Sequence, residues 1–83
     1  MTDQEMRDAI LEEAYEAAKK GGSISASSVG IYEISKDWGE EKTKIWFNAD
    51  YLYQKGWVIW SESGGFMRIT VDGVDKYEEE HPE

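Results

Sequence analysis

The sequence predicts a single α+β domain in which three helices are followed by a β-hairpin and a short fourth helix. Apolar residues recur at helical spacing in three segments that glycines separate, which is typical of short amphipathic helices. Residues 57–60 and 66–69 are rich in aromatic and β-branched residues and are joined through two glycines, as expected for a hairpin. With 83 residues, the chain has room for one small core.

The composition excludes several classes of function. The chain has no cysteine, so disulfides, thiolate metal sites and thiol catalysis are excluded. No apolar run approaches the ~20 residues of a membrane helix, and the acidic N-terminus lacks the pattern of a signal peptide. We therefore expect a cytoplasmic protein without a membrane partner. Its 18 acids outnumber its 9 bases, for a net charge of −9, and the acids concentrate in the first helix and at the C-terminal end.

Local signals define the first two helices. Thr2 and Glu5 fit a capping box at the start of the first helix, and Gly21-Gly22 end it. Ser23-Ile24 is predicted to be a short third strand of the sheet. The serines at 25–28 offer N-caps for a second helix, with Gly30 in its interior.

The third helix is predicted over residues 40–55, after a turn at Gly39 and before a stop at Gly56. We expect one side of this helix to be buried, namely Ile45, Trp46, Ala49, Leu52 and Tyr53. The opposite, outer side would then carry Lys44, Phe47, Asn48, Tyr51 and Lys55.

A hairpin turn at residues 62–65 and a helix capped by Thr70 complete the predicted domain, which spans residues 1–77. Residues 78–83 are predicted to form an acidic, disordered tail, because three successive glutamates repel one another and nothing apolar follows Tyr77. The predicted core is Ile10, Leu11, Ile31, Ile34, Trp38, Ile45, Ala49, Leu52, Val58 and Ile69.

Three short motifs resemble the winged helix-turn-helix superfamily of prokaryotic regulators. Trp38-Gly39 occupies the usual "Leu-Gly" turn, Gly56-Trp57-Val58 the "Gly-Leu-Val" exit, and residues 68–73 are similar to the "Leu-Thr-x-x-Gly" entry to the last helix. Ile45 and Leu52 match the core positions of the recognition helix. The resemblance covers about residues 6–77. It implies a three-helix core, a two- to three-stranded β-wing and a short C-terminal helix.

The resemblance also implies sequence-specific DNA binding by a transcription regulator, with the recognition helix at about residues 40–55. On the outer side of that helix, Asn48 can read adenine edges, and lysines can contact phosphates. The candidate nucleic-acid-binding residues are Lys42, Lys44, Asn48, Tyr51, Lys55 and Arg68. A chain of charge −9 gains little from counterion release, so DNA binding would require a dimer or a local basic surface.

The alternative is an acidic protein-interaction module that does not bind DNA. Glu40-Glu41 start the predicted recognition helix, and the hairpin tip contains Glu62, where DNA-binding relatives of this type often have bases. Exposed aromatic residues are typical of protein interfaces. Under this alternative, the interface residues are Phe47, Tyr51 and Trp60, and the partner is another protein or a second copy of the chain.

No enzyme signature is found, so we expect a non-enzymatic protein without catalytic residues, metal ligands or cofactors. His81 is the only histidine and lies beside Pro82 in the predicted tail, where a catalytic or metal-binding group would lack rigid partners. The paired glycines follow a helix or lie in a hairpin, so they do not form a phosphate loop.

Overall fold

Helices and a small sheet make up the computed structural model of the chain, which describes residues 1–61 and 64–82. The predicted hairpin tip at Glu62 and Ser63 and the last residue, Glu83, lie outside the described residues. In chain order the elements are α1 (Asp3–Gly21), β1 (Val29–Gly30), α2 (Ile31–Trp38), α3 (Lys42–Gln54), β2 (Val58–Trp60), β3 (Phe66–Ile69) and α4 (Val71–Glu80).

The sheet is antiparallel, with the strand order β1-β3-β2. Trp60 and Val29 both pair with Met67, whereas Ile59 pairs with Arg68 on the opposite face of the sheet. The buried Met67 marks the face that packs on the helices. The four helices and three strands among the described residues confirm the predicted α+β class.

The third strand differs from its predicted position. It is β1 at residues 29–30 rather than Ser23-Ile24, and the N-cap of α2 is Gly30 rather than one of the serines. The aromatic ring of Phe66 lies over Gly30, so that a β-carbon there would be 3.0 Å from Cε1 of Phe66. The glycine therefore allows two strands to approach beneath an aromatic ring, and it lies outside the helix.

The core is the one predicted, except that Trp38 is only half-buried. Four side chains of α1 and one of β3 are buried in addition, namely Met6, Ala14, Tyr15, Ala18 and Met67. The buried residues come from α1, α2, α3 and both hairpin strands, and Val74 and Tyr77 of α4 pack against them, so this one core joins the helices to the sheet.

The C-terminal helix is longer than predicted. Thr70 caps it as expected, because the backbone N–H of Gly73 donates to its hydroxyl at 3.0 Å. The helix then continues through Glu80, and residues 78–80 are helical instead of disordered. The Tyr77 ring stacks on Tyr15 with a centroid distance of 4.1 Å, and the Tyr15 hydroxyl donates to Glu78 at 2.7 Å. These contacts with α1 anchor the segment.

The capping box of α1 forms as predicted. The N–H of Glu5 donates to the Thr2 hydroxyl at 3.1 Å, and the N–H of Thr2 donates to the Glu5 carboxylate at 2.8 Å. Hydrogen bonding from Thr2 lowers the pKa of the Glu5 carboxyl below its ordinary value of 4.5. The ionised form is therefore the one that the folded state favours.

Glu5→Ala is expected to lower the melting temperature at neutral pH, and this difference should shrink as the solution is acidified. Because the folded pKa is depressed, the stabilisation is complete above pH 4.5 and is lost as the pH falls through the folded value. Melting curves followed by circular dichroism between neutral and acidic pH measure the effect. Glu13→Ala, an exposed change in the same helix, is the control; an equal pH dependence in both variants would contradict the prediction.

Candidate functional site

Helix α3 lies between two glycines that allow the chain to reverse on either side of it. Gly39 and Gly56 have φ angles of +64° and +81°, which glycine adopts without steric cost. The helix begins at Lys42, two residues later than predicted. Glu40 therefore lies outside the helix. Its carboxylate bonds to the amino terminus of Met1 at 2.8 Å, which lowers the pKa of that carboxyl.

Asn48 is buried, with 0% of its surface exposed, and the prediction that it lies on the outer side of α3 is wrong. Its Nδ2 donates to the Asp3 carboxylate and to the Lys44 carbonyl, both at 3.0 Å. Its Oδ1 accepts a hydrogen bond from Nε of Arg7 at 3.0 Å. The amide therefore joins α3 to α1 and is not presented to a ligand.

The lysines at the N-terminal end of α3 contact other parts of the chain. The ammonium group of Lys44 donates to the Met1 carbonyl oxygen. The ammonium group of Lys42 lies 4.5 Å from the ring centroid of Tyr32, on α2. Arg68 is half-buried on the face of the sheet that points away from the core, so it does not join the α3 residues. The six predicted nucleic-acid-binding residues thus do not form one surface.

The outward side of α3 is aromatic. Trp46, Phe47 and Tyr53 have 36%, 61% and 42% of their surfaces exposed, so the predicted burial of Trp46 and Tyr53 is wrong. Asp50 lies between them, one turn from Phe47 and from Tyr53, and is exposed. We call Trp46, Phe47 and Tyr53, together with Asp50, the aromatic face.

Trp60 extends the aromatic face towards the sheet. Its ring stacks on that of Trp46 with a centroid distance of 4.8 Å and an angle of 27° between the planes. It is half-buried on the core side of β2, opposite Met67. Of the three predicted interface residues, Phe47 and Trp60 therefore belong to this surface, and Tyr51 does not.

Tyr51 and Lys55 lie on the flank of α3 that contacts α1 and α4. There they line a cleft of about 320 Å³ together with Trp57, Arg7 and Lys76. The guanidinium carbon of Arg7 is 3.8 Å from the ring centroid of Tyr51, and the Lys55 ammonium is 5.7 Å from it. Sequence reasoning missed Arg7 and Lys76 because they lie on α1 and α4, and no local pattern relates either of them to α3.

Among residues 1–61 and 64–82, no group of three or more His, Asp or Glu side chains is placed to bind a metal ion. None of the helices in this part of the chain combines the length and the apolar character that crossing a bilayer requires.

Comparison with known proteins found no match to any family model, curated protein sequence or solved structure.

Proposed function

We propose that this chain is a winged-helix domain without enzymatic activity, and that it binds a protein partner through the aromatic face. The order of the elements supports the winged-helix interpretation. After α1 come a short strand, two helices joined at Gly39, a hairpin that pairs with that strand, and a final helix. This is the order of elements in a winged helix. The cytoplasmic location stays a prediction.

The observation that supports protein binding most is the exposure of Phe47, 61% of whose surface is in contact with solvent. Exposed apolar residues are common singly, but contiguous apolar patches mark interaction sites. Here Phe47 has Trp46 beside it, Tyr53 lies further along the helix, and Trp60 continues the surface. Large aromatic side chains of this kind contribute most of the binding energy at protein interfaces.

The charge of the chain specifies the chemistry of the partner. The protein has a net charge of −9, and the aromatic face contains Asp50 and no arginine or lysine. Complementary charges speed association and select partners. The partner is therefore a segment with one or two large apolar side chains beside lysine or arginine residues.

DNA binding is the second candidate, and the observation that favours it is the position of α3 between a helix and a hairpin, as in a recognition helix. Against it, Asn48 is buried, Lys44 bonds to the Met1 carbonyl and the Lys42 ammonium lies over the ring of Tyr32. A helix that enters the major groove needs donors and acceptors where α3 has aromatic rings.

The test is peptide selection followed by affinity measurement with the full chain. A random peptide library selected on the immobilised protein should enrich peptides that combine an aromatic or leucine residue with lysine or arginine. Phe47→Ala should weaken binding of such a peptide about 30-fold or more, the effect of losing an interface hot spot of about 2 kcal/mol. Fluorescence polarisation of the labelled peptide measures the change.

Val71→Ala is the matched control, because Val71 on α4 is also 61% exposed and lies outside the aromatic face. It should leave the affinity unchanged. Failure to enrich any peptide, or equal affinity for the Phe47→Ala variant, would count against the proposal. Steeply salt-dependent binding of a random-sequence DNA duplex, weakened by Lys42→Gln, would favour the second candidate. A concentration-dependent molecular mass that Phe47→Ala abolishes would identify a second copy of the chain as the partner.

A further inference from the structure

Three basic side chains converge in the cleft between α1, α3 and α4, which is on a different flank of α3 from the aromatic face. Arg7, Lys55 and Lys76 each come from a different helix, and all three line the cleft. Besides Tyr51, the cleft contains Trp57, whose ring centroid is 5.9 Å from the Lys55 ammonium and 5.2 Å from the Lys76 ammonium. A third of the bases of a strongly acidic chain are thus gathered around two neighbouring rings.

The aromatic rings hold the three basic groups in position but do not neutralise their charge. Interaction with a ring face attracts a cation without removing its charge. Lys76 bonds to the Glu80 carboxylate at 2.9 Å, whereas Arg7 and Lys55 have no carboxylate within 4.0 Å among residues 1–61 and 64–82. Arg7 uses Nε to bond to Asn48, so this hydrogen bond orients the guanidinium group and leaves its Nη nitrogens for other partners.

We propose that this cleft binds the phosphate group of a small molecule. Arginine and lysine side chains are the usual phosphate-binding groups, since they form charge-assisted hydrogen bonds with its oxygens. The three bases outnumber the two carboxylates, Asp8 and Glu80, that also line the cleft, so positive charge prevails there. Its volume of about 320 Å³ is at the lower end of the range for ligand pockets, so it suits a compact ligand.

In this proposal, Glu80 lowers the affinity of the cleft for phosphate. The Glu80 carboxylate forms an ion pair with the ammonium group of Lys76. Hydrogen bonding to Glu80 also raises the pKa of Lys76, which keeps that side chain charged. A bound phosphate competes with Glu80 for Lys76. Removing the charge of Glu80 should therefore strengthen phosphate binding, whereas removing a base should weaken it.

The experiment is a titration of the ¹⁵N-labelled full chain with inorganic phosphate at constant ionic strength, followed by nuclear magnetic resonance. Saturable shifts are expected for the Trp57 indole N–H and for the backbone amides of Arg7 and Lys55. Lys55→Gln should weaken binding about tenfold, and Glu80→Gln should tighten it severalfold. Lys20→Gln, an exposed change of the same charge outside the cleft, should leave the affinity within about twofold.

Two further titrations identify the source of the anion. Acetate, with a single charge, should bind more weakly than phosphate; equal binding would overturn the assignment to phosphate. A random-sequence DNA duplex that shifts the same signals at a lower phosphate concentration would move the assignment from a small molecule to a nucleic acid backbone. The cleft would not be a binding site if the chemical shifts changed linearly with phosphate concentration, without saturation. The same conclusion would follow if the Lys55→Gln variant showed the same shifts.

Discussion

Gly73→Ala is expected to lower the free energy of unfolding by about 3 kcal/mol or more, the upper part of the range for overpacked cores. In most helices the same change is stabilising, because alanine favours the helix by about 1 kcal/mol over glycine. Gly73 is buried where α4 packs against Trp57 and against Ile69 of β3. A β-carbon there would overlap the carbonyl oxygen of Trp57 and lie 2.6 Å from Cγ1 of Ile69.

This overlap cannot be relieved by a side-chain rotation, because the obstructing group is backbone. The Trp57 carbonyl accepts a hydrogen bond from the N–H of Thr70 at 3.0 Å, which fixes its position. Helix α4 would have to move away from the core. Urea unfolding measures the loss, and Val71→Ala in the same helix is the control, expected to be neutral or slightly stabilising. A Gly73→Ala variant as stable as the native chain would show that α4 packs differently.

Asn48→Ala is expected to destabilise the protein by about 3 kcal/mol. The change leaves Nε of Arg7 and the Asp3 carboxylate without their partner and opens a gap between α1 and α3. Hydrogen bonds to charged groups contribute about 1.5–3 kcal/mol each, and the buried Asn48 side chain makes two of them, one to the half-buried Arg7 and one to the exposed Asp3. An asparagine on the surface of a DNA-reading helix would instead change the stability by less than about 0.5 kcal/mol when truncated.

Thermal and urea unfolding of the Asn48→Ala variant therefore also test the orientation of α3. Gln54→Ala removes an exposed amide from the same helix and is the matched control, expected to have little effect. Equal stability of the two variants would mean that the α1–α3 hydrogen bonds do not contribute and that Asn48 is available to a ligand.

The orientation of α3 is where sequence reasoning was least accurate. Ranking side chains by hydrophobicity places Trp46 and Tyr53 inside and Asn48 outside, and the structure reverses this. The residues that are buried, 45, 48, 49 and 52, follow the i, i+3, i+4, i+7 pattern of a single helix face. A polar residue completes that face, and it can do so only because Arg7 and Asp3 supply its hydrogen bonds from α1.

Features that depend on neighbours within a few residues followed from the sequence alone. Each of them is a hydrogen bond or a backbone angle that nearby residues set. They are the capping box at Thr2, the glycine ends of α1 and α2, the cap at Thr70 and the strands of the hairpin. The apolar pattern was also enough to predict nine of the fourteen buried hydrophobic residues in the described part of the chain.

Only the tertiary structure decided which side chains are available to a partner. The Arg7–Asn48 bond joins residues 41 apart in the chain, and the Tyr15–Glu78 bond that anchors the end of α4 joins residues 63 apart. The cleft likewise combines side chains from three helices. The free energy of such contacts depends on how the elements pack against one another, so the aromatic face and the basic cleft became apparent only once the helices were in place.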